Sequence, residues 1–334
     1  MTKDTVETTM DAVVADHYGS VEVIDHRRVA RPTVEADEVL IRVAAAGMDR
    51  AVWHLMTGRP YVVRCLGFGL RRPANPVPGL DVSGRVEAVG DEVTRFAVGD
   101  EVFGIAQGSF AEYASAKEVK LAHKPSAITF EEAAAVAISG LTALQGLRDT
   151  ARLQKGQSVL VIGASGGVGT WAVQIAAAMG ATVTGVCSAA KADLVRSLGA
   201  DDVMDYRAQD ITASGRHFDV ILDLAGNRPI KALRRLLTAQ GTLVIGGGEG
   251  SDRWLGGIHR QLGAMMLSPF VGQRLTAFVA REHFSDIVVL AEMIEAGQIA
   301  PTVGEVFPVQ EVKDAMRHML AGQARGTTVI RIGG

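Results

Sequence analysis

Ser158-Val-Leu-Val-Ile-Gly163-Ala-Ser-Gly166-Gly167-Val-Gly169 is the stretch on which the fold turns. A short apolar run ends in closely spaced glycines, and helix-period sequence starts near Val168. Glycines at such a junction permit a tight turn and let the backbone approach a pyrophosphate, whose charge a helix N-terminus stabilises. A lone glycine pattern is weak, but here a strand precedes it, a helix follows, and a second strand and helix complete a βαβ unit. A glycine-rich turn that binds nothing is the alternative reading.

Downstream, strands are expected at 158–162, 182–187, 203–206, 220–224 and 242–245, separated by helical patterns such as 168–179 and 189–198. Strands apolar on both faces and alternating with helices imply a parallel sheet covered on both sides. Upstream, Thr129 is placed to cap a helix beginning FEEAAAVAI, with Glu131 and Glu132 favourable in its first turn. The first third reads differently. Short runs rich in Val, Ile and Phe at 11–15, 38–45, 82–89, 101–104 and 110–114, broken by Gly, Pro and Asp, suggest a β-barrel or sandwich. Residues 53–78 break the pattern, dense in Gly, Pro and Arg, and a long irregular segment inside a compact domain is usually functional. The tail predicts a helix at 285–296, a strand, a helix at 311–321 and a last strand at 327–332.

At 334 residues the chain suits two domains. It has no flexible linker, so the two are expected to share a cleft. Hydrophobic residues at 48% and charged residues at 21% are the balance of a globular protein. With 34 basic against 37 acidic residues and only short basic runs such as Arg71-Arg72 and Arg234-Arg235, neither nucleic acid nor a membrane surface is an expected partner. Cys65 and Cys187 stand far apart, which argues against a disulfide framework or a cysteine zinc site and fits a reducing cytoplasm. Residues 1–10 carry Asp4 and Glu7 without an apolar core, unlike a secretory signal or a mitochondrial presequence, and no apolar run is long enough to span a bilayer.

The end of the second strand discriminates between dinucleotides. An NAD site places a carboxylate there to accept from the ribose 2′-hydroxyl. This chain instead reads Gly185-Val-Cys187-Ser188-Ala-Ala-Lys191, with no carboxylate before Asp193. Ser188 can donate to a 2′-phosphate and Lys191 can neutralise it, which favours NADP. Tyr206, closing the third strand, is a third candidate beside that phosphate. Lys191 as a solvated helix residue and Tyr206 as a sheet-edge aromatic remain the plain alternatives. Asp223-Leu-Ala225-Gly226 and Gly246-Gly247-Gly248 end later strands at the carboxyl edge, where cofactor should cross the sheet. They serve either close approach of the cofactor or simple turns.

Several further motifs occur in order: Val43-Ala-Ala-Ala-Gly47, Pro78-Gly79-Leu-Asp81-Val-Ser-Gly84, Val98-Gly-Asp100-Glu-Val-Phe103-Gly104, Gly108-Ser-Phe-Ala-Glu112-Tyr113, and Ala133-Ala-Ala-Val136 through Gly140-Leu-Thr142-Ala143. With the glycine loop they make the chain resemble the medium-chain dehydrogenase/reductases, in the zinc-independent branch typified by quinone oxidoreductases. The resemblance covers nearly the whole chain. It implies an α/β protein in which a GroES-like β-rich catalytic domain, 1–127 with 284–334, accompanies a doubly wound Rossmann NADP-binding domain, 128–283. It also implies a homodimer through sheet-edge strands, with 275–280 as the candidate edge.

Zinc-dependent relatives differ at the metal ligands. Their first cysteine falls near Met48-Asp49 and their Gly-His-Glu motif at Gly79-Leu80-Asp81. Met48 and Leu80 offer no zinc ligand, and His54 with Asp81 is an incomplete set. Hydride transfer without a metal suits an acceptor already activated by conjugation, a quinone or an α,β-unsaturated carbonyl compound. The resemblance implies cofactor contacts from Thr142, Ser165, Gly166, Gly167, Val168, Gly169, Ser188, Lys191, Tyr206, Ala225, Gly246, Gly247 and Phe278. It implies Asp49, where many relatives have Asn, facing the nicotinamide, Tyr61 as a pocket hydroxyl able to give a proton, and Trp53 and His54 lining the substrate. Tyr61 as a packed loop residue is the alternative, and 64–72 either roofs the pocket or is solvated surface. Reduction of a specialised ketone or imine, and a non-catalytic NADPH-binding partner protein, are the competing functions.

Overall fold

The computed structural model describes residues 8–247, 254 and 256–333, the Leu66 side chain excepted. Six strands of the second half form one sheet: β1 (Ser158–Ile162), β2 (Thr182–Cys187), β3 (Asp202–Asp205), β4 (Phe218–Asp223), β5 (Leu237–Ile245) and β6 (Arg274–Ala277). Their spatial order is β3-β2-β1-β4-β5-β6, and every neighbouring pair is parallel. The direction of winding reverses between β1 and β4, so a crevice opens at the carboxyl ends of those two strands. Alternate residues face opposite cores, Val159 and Val161 with Leu222 on one side, Leu160 and Ile162 with Ile221 on the other. That is why these strands read as unbroken apolar runs.

Thr9–Val14 with Asp25–Ala30 forms a separate two-stranded sheet, and a seven-stranded sheet, largely antiparallel, is built on the long strand Glu38–Met48, which pairs with Asp81–Val89, Tyr113–Lys117 and Thr327–Arg331. The last of these comes from the C-terminus, so the chain leaves the β-rich domain, builds the parallel sheet and returns. The architecture is α/β, a GroES-like β-rich domain with a doubly wound Rossmann domain. The helix Phe284–Glu295 buries Ile287, Leu290 and Ile294 in a core shared with Val159 of β1 and with Phe103 and Ile105 of the β-rich domain. One core therefore runs across the junction.

Three expectations need correction. The alanine-rich helix after Thr129 is two: Phe130–Ala133, closed by a capping box between Thr129 and Glu132, then Ala137–Gln145. Ala134 and Ala135 between them pack on Ala45 and Val329, so tertiary contact overrides a uniform helix propensity. The segment expected to be irregular from residue 53 begins inside the helix Arg50–Thr57. Asp49 accepts from the Val52 N–H at 3.0 Å and Gly58 ends the helix at φ 59°, both ordinary punctuation that the reading missed. The strand expected at 110–114 is Tyr113–Lys117, and the strand Asp25–Ala30 was not anticipated, because DHRRVA is mostly exposed and lacks alternation.

Candidate functional site

The glycine loop closes the carboxyl end of β1. Gly163 takes φ 92°, and the N–H groups of Gly163 and Ala164 both donate to the Val186 carbonyl at 3.1 Å, tying the turn to β2. Gly166 is the extended N-cap of the helix Gly167–Ala178, and no side chain caps it, so the first-turn N–H groups of Gly167, Val168 and Gly169 are open to an anion. A Cβ at Gly169 would sit 2.1 Å from the Gly163 carbonyl oxygen. Only glycine lets the helix start so close to the strand. Ser165 is buried, and its carbonyl accepts from Gly326 N–H at 2.9 Å, which brings the C-terminal segment beside the loop.

At the end of β2, Ser188 is buried and Lys191 closes a short turn, Ala189–Lys191, ahead of the helix Ala192–Ser197. The Lys191 ammonium donates to the Gly322 and Ala324 carbonyls at 2.8 and 2.6 Å, so it is not a solvated helix residue. Arg325 donates to the Ala190 carbonyl at 2.8 Å from the other side. Burial, and then the fields of Arg325 and Arg207, lower the Lys191 pKa. Arg207 stands next to Tyr206, whose ring its guanidinium covers at 5.7 Å. Arg325 and Arg207 escaped the sequence reading. Arg325 belongs to the C-terminal segment, and no local pattern joins it to Ser188.

A cavity of about 720 Å³ is lined by Ala51 and His54 on one helix, by Ile138, Leu141 and Thr142 on another, and by Leu80. Its polar lining comprises His54, Asn75, Gln107, Thr142, Ser115, Glu38, Lys117 and the ion pair of Lys120 with Glu282 at 2.6 Å. The His54 Nδ1 lies 2.7 Å from the Arg59 carbonyl, which can only accept, so Nδ1 carries a proton. Thr142 donates its hydroxyl to the Ile138 carbonyl at 2.7 Å. Gly67 and Phe68 contribute to the wall, so part of the 64–72 segment lines the cavity.

The other expected site residues divide. Trp53 packs with Val13, Met56 and Ile330, because consecutive helix residues point about 100° apart and only His54 turns to the cavity. Tyr61 is not part of the wall, although its neighbours Pro60 and Val63 are. Its ring lies edge-on to Trp254 at 5.1 Å and under the Arg64 guanidinium at 4.5 Å. Asp49 caps its helix and does not line the cavity; burial raises its pKa. Phe278 fills the space against Gly146 and Gly246, and the next residues, Val279 and Ala280, reach the cavity. Gly246 and Gly247 donate to the Asp223 carbonyl, and a Cβ at Gly247 would lie 1.9 Å from the Leu224 carbonyl oxygen, so packing of the loop carrying Ala225 already demands glycine. Gly248 lies outside the described residues. Asp223, fully buried at the end of β4, is held by Arg260 of the helix Ile258–Leu267.

The residues present do not suit a catalytic zinc ion. Met48 is buried and Leu80 apolar, and among the described residues no three His, Cys, Asp or Glu gather as a ligand set.

A family model for the alcohol dehydrogenase GroES-like domain matches residues 35–126, and one described as zinc-binding dehydrogenase matches 198–330. NAD(P)H oxidoreductase RTN4IP1, mitochondrial, of Bos taurus is 35% identical over 97% of this chain and 90% of its own. The quinone oxidoreductase of Homo sapiens is 29% identical over 95% and 96%. A mycobacterial protein solved complexed with NADPH superimposes with a TM-score of 0.82 at 26% identity, over 97% of this chain and 100% of that one. With its parallel sheet, its β-rich domain, its glycine loop and these relatives, the chain belongs to the medium-chain dehydrogenase/reductase family, in its quinone oxidoreductase-like group.

Proposed function

We propose that this protein is an NADPH-dependent reductase of quinones or α,β-unsaturated carbonyl compounds that works without zinc. The observation that carries the reading is the largely apolar cavity against Thr142, in a chain whose parallel sheet also offers an uncapped helix N-terminus and a cationic cluster at the end of β2. The first turn of Gly167–Ala178 would hold the pyrophosphate, and Ser188, Lys191 and Arg325 the 2′-phosphate. When bound, NADPH supplies the hydride from C4 of its nicotinamide. Ile138, Leu141 and Leu80 exclude water and orient the acceptor, whose conjugation carries the charge to oxygen. One proton must follow, and His54 on the cavity wall, or water, supports that role better than Tyr61 in its aromatic stack.

The presence of an imidazole on the wall also favours a second reading, reduction of a specialised ketone, which needs such a donor. Both readings are tested by following NADPH absorbance with metal-stripped protein against a quinone, an enone, a ketone and an aldehyde, with NADH in parallel. Turnover of the conjugated acceptors alone supports the first reading, and turnover of the ketone alone the second. NADPH binding with no turnover would leave a binding protein.

The domains are proposed to divide as 1–127 with 284–334, and 128–283. A homodimer through β6 is supported by that strand's place at the end of the sheet, paired on one side to β5, and by Met266 and Phe270 exposed nearby. A cytoplasmic location is proposed from Cys65 and Cys187, both free thiols. No helix of the described residues is long and apolar enough to cross a membrane.

A further inference from the structure

Asp49 and Asp81 lie at the ends of neighbouring strands in the β-rich sheet, just behind the cavity. The pairing of Ala45 with Ser83, carried two residues further, sets Asp81 opposite Gly47. A Cβ built at Gly47 would fall 2.8 Å from the Asp81 Cβ and 3.1 Å from its Oδ2. Asp49 follows Gly47 by two residues in extended backbone, φ −127° and ψ −179°, so it points to the same side and is a diagonal cross-strand neighbour of Asp81. Each carboxylate has one oxygen committed to a helix: Asp49 Oδ1 accepts from Val52 N–H at 3.0 Å, and Asp81 Oδ1 accepts from Ile138 N–H at 2.8 Å. The second oxygen of Asp49 is buried and has no hydrogen-bond partner, and Asp81 is 2% exposed. Neighbouring carboxylates in a low-dielectric interior oppose each other's ionisation.

We propose that Asp49 and Asp81 hold one proton between them, Asp81 donating it to the unpartnered oxygen of Asp49, and that this bond fixes the spacing of the helices Arg50–Thr57 and Ala137–Gln145. Asp81 is then a positioning residue, acting through His54 and Thr142 on the cavity wall. That role in reduction rests on the proposed reductase activity; the shared proton does not.

Burial first, and then the Asp49 charge, raise Asp81 well above the carboxylate range, and burial raises Asp49. Glu282, bound to Lys120, adds to the negative field on Asp81. Arg50 and His54 belong to the helix that Asp49 caps. The helix Ala137–Gln145 has no ionisable side chain, and neither does Ile105 opposite Asp81 nor Thr328 opposite Met48. A carboxyl whose folded pKa is raised contributes stability fully below its unfolded pKa and loses it as pH rises through the folded value.

The test is the Tm of the cofactor-free protein from about pH 5 to about pH 9, a range spanning carboxyl values raised in this way. Wild type is compared with Asp81→Asn, Asp49→Asn and Glu282→Gln. Asparagine at 81 keeps the acceptor for Ile138 and supplies a proton that does not dissociate. The wild-type Tm should fall across the upper range, and both aspartate variants should flatten that fall and stand about 2–4 °C higher near its end. Glu282→Gln should move the fall to lower pH without removing it. Wild-type slopes retained in both aspartate variants would overturn the proposal. So would a rise in Tm with added Zn²⁺ that both variants abolish, since the pair would then be a metal site. An alkaline limb of kcat/KM present in wild type and absent in Asp81→Asn supports the positioning role; the same limb in both refutes it. Flattened Tm curves with no acceptor reduced would retain the shared proton and remove the reductase reading.

Discussion

Replacing Lys191 with Ala should weaken NADPH binding strongly and NADH binding little. Of the three ammonium protons, two are directed at the Gly322 and Ala324 carbonyls, so one remains for a phosphate oxygen. A unit charge pair at about 4 Å is worth about 4 kcal/mol at an effective dielectric of 20. Lys191 is only partly buried, and both ions lose water on pairing, so the net value should be that of one charged hydrogen bond, about 1.5–3 kcal/mol. That converts to a Kd for NADPH raised about 10- to 150-fold. NADH has no 2′-phosphate and should change by less than about threefold, the residue of a loosened turn. Titration calorimetry with both cofactors, at one ionic strength because surface charge is screened, reads the two constants directly. Arg325→Ala should rank the cofactors the same way. Equal losses for NADPH and NADH in both variants would refute the phosphate pocket. The lowered Lys191 pKa adds a sign: the cation is lost as pH rises through that value, so NADPH affinity should fall at lower pH than an ordinary lysine would dictate, while NADH affinity stays level.

Gly169→Ala should cost about 1–3 kcal/mol in urea unfolding and loosen both cofactors, since its Cβ meets the Gly163 carbonyl oxygen at 2.1 Å; an unchanged midpoint would mean that the loop yields. Arg260→Met should cost about 3–5 kcal/mol by removing the partner of the fully buried Asp223, and a loss below about 1 kcal/mol would show that the ion pair adds little to stability. Tyr61→Phe should retain turnover within about twofold, whereas His54→Phe should lower kcat by about 10²-fold if the imidazole gives the proton. The reverse ranking would return the donor role to Tyr61.

Much of the parallel sheet was legible because its signals are local. The run from Ser158 to Gly169 carries strand, turn and helix in contiguous residues, and the double-sided burial of β1 and β4 leaves its mark as unbroken apolar sequence. Ser188 and Lys191 stood out as candidates for the same reason, lying just past the end of β2. Trp53 and His54 looked alike in sequence and diverged in space, because a helical turn sends one into the core and the other to the cavity. The gap between Phe130–Ala133 and Ala137–Gln145 was invisible, since Ala134 and Ala135 are good helix formers and only the strand beneath them interrupts the ladder. By itself the sequence determined the architecture and the glycine loop, which depend on neighbours within a few residues. The tertiary structure alone decided that Arg325 joins the turn that carries Lys191, that Asp81 lies opposite Gly47, and which side chains face the cavity. Those contacts are made between strands and segments far apart in the chain, where sheet register and helix phase, rather than local propensity, set which groups share a face.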